Sequence, residues 1–263
     1  MAHPGADRVW QLDSLAGVRV MRLLPFQEAG CLALFTTRPL SVGGVVPGGE
    51  AVVAARATFA RSCLPRPPVV VRQVHGAQVL SVSARPPERD PGEWPVAGEA
   101  DGLVTSRPDL PLAVFCADCA AVYLCDPERR VVGLLHAGWR GTVAGVVEQG
   151  LAAMTSAGSD PGRVMAAVGP CIGPCCYEIG DDVRSRVQER LGEDAGHVLL
   201  RRGGRLYFDL QGAISILLQR CGVPAARIFA SGPCTACRPD LFWSHRRDGG
   251  VTGRMAAVLA LRA

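Results

Sequence analysis

The chain has 263 residues, 48% of them apolar and 20% charged, with a formal net charge of +4 at neutral pH. That composition excludes a disordered chain, and the length sits at the upper end of what one hydrophobic core supports. Histidine aside, arginine supplies all of the positive side-chain charge, and its planar fork suits phosphate or carboxylate. The arginines are scattered, with no basic stripe interleaved with aromatics, so no nucleic-acid partner is expected and an anionic small molecule stays open. No apolar run approaches the ~20 residues of a membrane span, and residues 1–16, without an export pattern, read as a flexible N-terminal tail. Eleven cysteines in such a chain point to a cytoplasmic protein whose thiols stay reduced, for packing, metal or catalysis.

In chain order, short apolar and β-branched runs predict strands at 31–37 and 69–74. Residues 83–98 (SARPPERDPGEWPVAG) are rich in proline, glycine and charge and read as an exposed loop or flap. Four continuous apolar runs follow, at 101–105, 112–117, 121–126 and 131–136, the pattern of strands buried on both faces. The period then changes: Val143, Val146, Val147, Leu151 and Met154 predict one helix over 140–156, stopped by Gly158. A strand at 164–169, a glycine- and cysteine-rich turn at 169–176 and a helix near 179–192 come next. A strand at 205–209, a helix at 210–221 and strands at 227–231 and 253–261 complete the chain. Strands alternating with helices, and no linker after residue 100, indicate one layered α/β domain over 1–263.

His75 and His136 each end an apolar strand, and Cys119 lies just past another. Strand ends are where α/β proteins gather site residues from distant positions. Two imidazoles and a thiolate suit Zn²⁺ and leave a fourth position free, yet the spacing is no zinc signature, and buried histidine or cysteine often serves packing alone. A second constellation is Arg140 with the segment Ser244-His245-Arg246-Arg247-Asp248 and Arg254, where guanidinium forks could hold phosphate. A solvated turn with a local ion pair explains the arginine pair equally well. In the turn at 169–182, Asp181 and Asp182 suit a helix start, and Cys171, Cys175 and Cys176 read as packing thiols that would take soft copper(I) if they took a metal. A rival metal reading joins two C-x-x-C pairs, Cys116/Cys119 and Cys234/Cys237, in one Cys₄ site that would compete for Cys119. His3 and His197 are background.

The blocks VRQVHG (71–76), ADGLVTSRPDLPLAVFCADCAAVYLCD (100–126), HAGWRGTVAGVV (136–147), GPCIGPCCYEIGDDV (169–183), FDL (208–210) and FWSHRRDGGVTGR (242–254) resemble the successive motifs of the YfiH/YlmD family. Its members are also called laccase-domain proteins, multicopper polyphenol oxidases or peptidoglycan editing factors. The resemblance implies a layered sandwich of mixed β-sheets flanked by helices. It also implies a catalytic zinc site formed by His75, Cys119 and His136, with copper as the alternative metal. The implied activities are phosphorolysis of adenosine, inosine and methylthioadenosine to base and ribose 1-phosphate, together with adenosine deamination. The implied partners are purine nucleoside and phosphate, with Arg38, Arg140, Arg246, Arg247 and Arg254 as substrate-binding residues, in a monomer or homodimer. The chain departs from the family in two places: 36–50 keeps Arg38 but lacks the family's serine and asparagine, and Ala121 replaces a proline.

Asp118, Glu178 and Asp209 are the candidate proton carriers, and His245 could also move a proton. Two other enzyme classes are alternatives. In a cysteine hydrolase or peptidoglycan-editing enzyme, Cys119 would be the nucleophile and His75 or His136 its base. A copper-dependent polyphenol oxidase would need more histidines than the five present.

Overall fold

The computed structural model describes residues 9–43, 49–87 and 93–262. Its strands are β1 Trp10–Leu15, β2 Val18–Leu23, β3 Cys31–Thr36, β4 Val70–Arg72, β5 Val79–Ser81, β6 Val96–Glu99, β7 Gly102–Thr105 and β8 Leu112–Cys116. They continue as β9 Ala120–Asp126, β10 Val131–Ala137, β11 Met165–Val168, β12 Leu199–Arg202, β13 Arg205–Phe208, β14 Ile228–Phe229 and β15 Met255–Leu261. The helices are α1 Leu24–Glu28, α2 Glu50–Cys63, α3 Trp139–Ala144, α4 Val146–Ser156, α5 Asp181–Leu191, α6 Ala195–Val198 and α7 Leu210–Arg220.

Two mixed or antiparallel sheets stack face to face: β1-β2-β3-β15-β8, and β14-β11-β9-β10-β7-β5. The period of two explains why the central strands are apolar throughout. In β9 and β10, Ala121, Tyr123, Cys125, Val132 and Leu134 pack into the space between the sheets. Their neighbours Ala120, Val122, Leu124, Val131 and Leu135 pack outward under α4, α5 and α7. The outer face of the other sheet, Val20, Leu34, Ala113, Phe115 and Val258, is covered by Phe59 of α2 and by Trp94. The result is the layered α/β sandwich implied by the sequence.

Three local expectations are corrected. The stretch 1–16 is not all tail: Trp10–Leu15 forms edge strand β1, because Trp10 buries its ring edge-to-face on Tyr123 at 5.7 Å; residues 1–8 lie outside the described residues. The flap at 83–98 contributes structure, since Trp94 is 2% exposed and stacks on Phe115 at 5.7 Å, and β6 begins at Val96; residues 88–92 lie outside the described residues. The single helix over 140–156 is two, α3 and α4, broken where Gly145 takes a left-handed φ of 96°.

Tyr123 is fully buried between the sheets, and its hydroxyl donates to the Leu34 carbonyl at 2.8 Å. Tyr123→Phe should keep the fold and lower unfolding free energy by about 1–2 kcal/mol, the scale of one buried hydrogen bond. Urea unfolding followed by tryptophan fluorescence measures it, and an unchanged midpoint would contradict that role.

Candidate active site and metal centre

His75, Cys119 and His136 meet. One ligand atom from each lies within 4.8 Å of the others, and the two imidazole rings sit 4.8 Å apart at 85°. His136 is the penultimate residue of β10, beside Asp101, which precedes β7, and its amide donates to the Asp101 carbonyl at 2.7 Å. Cys119 lies in the β8–β9 connection, and His75 in the turn between β4 and β5. Gln73 anchors that turn by pairing with both backbone groups of Phe115, at 2.7 and 2.9 Å.

The organising group is Asp101, fully buried and carrying four donors. Its carboxylate accepts from the amides of Val74 (3.2 Å), His75 (3.0 Å) and Gly76 (2.6 Å), and from His136 Nδ1 at 2.8 Å. An ionised carboxylate only accepts, so His136 must carry its proton on Nδ1 and present Nε2 to the site. Burial alone would push the Asp101 carboxyl up. The His136 hydrogen bond and the amides outweigh it and hold the group below its ordinary value. The three amides also hold His75 in a left-handed backbone conformation, φ 60°, costly for a non-glycine residue.

A second buried carboxylate organises the other side. Asp118, itself at φ 87°, accepts from Thr235 Oγ1 (2.5 Å), Ser244 Oγ (3.1 Å) and the Arg246 amide (2.7 Å), while its carbonyl accepts from the Ile172 amide at 2.9 Å. It thus binds three distant segments around Cys119. All its donors are fixed, which suits a scaffold rather than a proton shuttle. Of the other carboxylates read as proton carriers, Asp209 caps α7 through the Gly212 amide and Glu178 pairs with Arg205.

Cys119 and His136 polarise each other. Burial pushes the thiol up, but the His136 charge and hydrogen bonds from both imidazoles outweigh it and bring Cys119 down to about 6. Burial likewise pushes the His136 imidazole down, and the Cys119 thiolate and Asp101 raise it instead to about 9. The fit to a metal is also steric. A Cβ on Gly138 would lie 2.8 Å from Cys119 Sγ and 3.6 Å from His75, so only glycine leaves room for the sulfur.

The three residues line a cleft of about 1110 Å³ together with Asp118, Trp139, Arg140, Tyr177, His245, Arg246 and Arg254. Arg140 lies over the Trp139 ring and Arg246 over Tyr177. Arg254 donates to the carbonyls of Thr252 and Gly253. Arg247 and Arg38 are placed elsewhere. Arg247 uses its guanidinium on Asp248 and the carbonyls of Thr235 and Phe242, and Arg38 stacks on Trp243 while donating to the Pro239 carbonyl. Ser41, Gly43 and Gly49 line the cleft, so the divergent segment 36–50 borders it; residues 44–48 lie outside the described residues.

The family described as "Multi-copper polyphenol oxidoreductase laccase" matches residues 44–262. The chain belongs to this laccase-domain family, that of YfiH and YlmD. A purine nucleoside phosphorylase from Deinococcus radiodurans is 41% identical over 73% of this chain and 69% of its own length. The adenosine deaminase RL5, from an unknown prokaryotic organism, is 34% identical over 71% of this chain and 72% of its own. The crystal structure of YlmD from Geobacillus stearothermophilus superposes with a TM-score of 0.85 at 32% identity, covering 97% of this chain and 99% of that one. Within this YfiH/YlmD member, Asp101, Gln73, Gly138 and Thr235 are site residues that sequence reasoning did not single out. Asp101 stands inside the quoted ADG block, but nothing in the sequence says that its carboxylate turns back on VHG.

In metal-free protein, iodoacetamide labelling of Cys119 should rise through a midpoint near pH 6, because the thiolate accumulates above its lowered pKa. Peptide mass spectrometry after timed alkylation measures it, and a midpoint in the ordinary thiol range would refute the ion pair. Gly138→Ala should leave the fold intact and weaken metal binding about 10–100-fold, read by competition with a chromophoric chelator.

Proposed function

We propose that the chain is a cytoplasmic, zinc-dependent purine nucleoside phosphorylase that also deaminates adenosine. The observation that carries this reading is one cleft holding both a His₂Cys donor set and the guanidinium groups of Arg140, Arg246 and Arg254. Eleven free thiols are consistent with a reducing compartment. His75, Cys119 and His136 would hold the zinc, leaving a position open, and the bound metal would supply Lewis acidity for chemistry on the purine.

The remaining roles fall to the chain's own groups. Arg140, Arg246 and Arg254 hold phosphate by charge-assisted hydrogen bonds beside the anomeric carbon. A phosphate oxygen bonds to C1′ as the bond to the purine nitrogen breaks, and the electron pair leaves with the base. His245, which lines the cleft, would give the departing purine its proton. Tyr177 and Trp139 offer faces for the sugar and base, each already backed by an arginine. Adenosine, inosine and methylthioadenosine are the proposed substrates, taken by a monomer or homodimer.

A second reading has its own observation. Cys119, His136 and Asp101 stand in the order nucleophile, base and orienting acid, with the thiol already lowered to about 6. In a cysteine hydrolase of that kind the metal-free protein would be the active form. Zinc content therefore separates the two: activity that a chelator removes and zinc restores supports the phosphorylase, and activity of metal-free protein abolished by iodoacetamide supports the hydrolase.

Purified protein incubated with adenosine and phosphate should release adenine and ribose 1-phosphate, and inosine by deamination. Absence of all three products would overturn the proposal. Asp101→Asn should lower activity and zinc affinity together, by about 10–100-fold, because the amide offers one acceptor oxygen where the carboxylate offers two. Unchanged zinc affinity in that variant would remove Asp101 from its orienting role.

A further inference from the structure

Cys234 and Cys237 do not join Cys116 and Cys119. Cys116 points into the core between the sheets at 1% exposure, where burial pushes its thiol well up. The C-x-x-C pair instead meets Cys175 and Cys176, and the four sulfurs lie within 4.8 Å of one another. Cys237 Sγ is 3.4 Å from both Cys175 Sγ and Cys176 Sγ. These separations are far beyond a disulfide bond of about 2.05 Å, and close to the roughly 3.8 Å edge of a tetrahedron of sulfurs around zinc at about 2.3 Å.

The backbone around the cluster is arranged as a thiolate site. The Gly173 amide donates to Cys234 Sγ at 3.2 Å. Amide donors on a sulfur stabilise its anion, which is the form that binds metal. Two segments distant in sequence run side by side here. Cys171 pairs with Cys234 in a parallel bridge, and the Thr235 amide donates to the Cys171 carbonyl at 3.0 Å. Arg202 donates to the Pro174 carbonyl, tying β12 to the turn that carries Cys175.

We propose that Cys175, Cys176, Cys234 and Cys237 form a second metal site, separate from the cleft, that binds one tetrahedral zinc ion. Four thiols give up their protons to solvent as four Zn–S bonds form, with no change of oxidation state. All four positions are filled by protein, so the ion is structural. It cross-links the 169–176 turn, which positions Tyr177, to the 232–237 loop, whose Thr235 holds Asp118. The site stands independently of the function assigned to the cleft.

Metal analysis of full-length protein purified under reducing conditions should give about two zinc per chain, falling to about one in His75→Ala and in Cys237→Ser. After cobalt(II) exchange, wild type and His75→Ala should share a tetrathiolate absorption that Cys237→Ser lacks. Because the tetrathiolate bands need four sulfurs and the cleft offers one, failure of the cleft's zinc would not hide this site. Cys175 and Cys237 are exposed, so a wild-type readout needs no variant to fold: the four cysteines should resist iodoacetamide until zinc is stripped, then label readily. Equal labelling before and after chelation, an unaltered cobalt spectrum in Cys237→Ser, or iron in place of zinc would each overturn the proposal.

Discussion

The buried Asp101 carboxylate is the constraint on which the site depends. It is shut off from bulk solvent, so its charge is tolerable only while four donors converge on it. Three of those donors are successive amides of one turn, which curls the chain around the carboxylate and carries the His75 side chain with it. The fourth is the His136 ring, fixed thereby in tautomer and direction. One charge thus couples two histidines 61 positions apart, and neither can move without leaving it under-satisfied.

Asp118 plays the matching part on the cysteine side, and the sandwich explains why both carboxylates are needed. The strands deliver β8, β9 and β10 to a common end, but a sheet fixes backbones and not the loops that leave it. Each loop bearing a ligand contains a non-glycine residue in a left-handed conformation, His75 or Asp118. Such conformations persist only where surroundings over-determine them. Here the surroundings are carboxylates whose oxygens all accept hydrogen bonds, so the polar network that shapes the cleft also holds the strain that aims its ligands.

Much of this was legible in the sequence, and the limit has a physical cause. The doubly buried strands β7 to β10 announced themselves as apolar runs, and strand ends were sound places to look for His75, Cys119 and His136. The motif blocks likewise carried the family. Local pattern could not say which way a carboxylate turns. Asp101 and Asp118 are ordinary acids in sequence and become organisers only through contacts with distant segments. The same holds for Arg247, whose neighbour Arg246 faces the cleft while its own guanidinium turns inward to three protein acceptors. The rival reading joined the two C-x-x-C pairs, but β8 draws Cys116 into the core, and Cys234 and Cys237 meet a vicinal pair read as packing.

Donor chemistry also bears on the family's description as multi-copper oxidases. A cluster of several coppers needs many imidazoles, and this chain has five histidines. Two are in the His₂Cys set, His245 lines the cleft without joining that set, His197 is exposed in α6, and His3 lies outside the described residues. Among the described residues the cleft therefore has a donor set for one metal ion, with a sulfur in it and arginines in its lining. Oxidising a phenol calls for no anion holder, whereas the proposed reaction, which brings an oxyanion to a sugar carbon, would use the arginines that line the cleft. The cleft's charge, more than its metal, is what supports the proposed nucleoside chemistry.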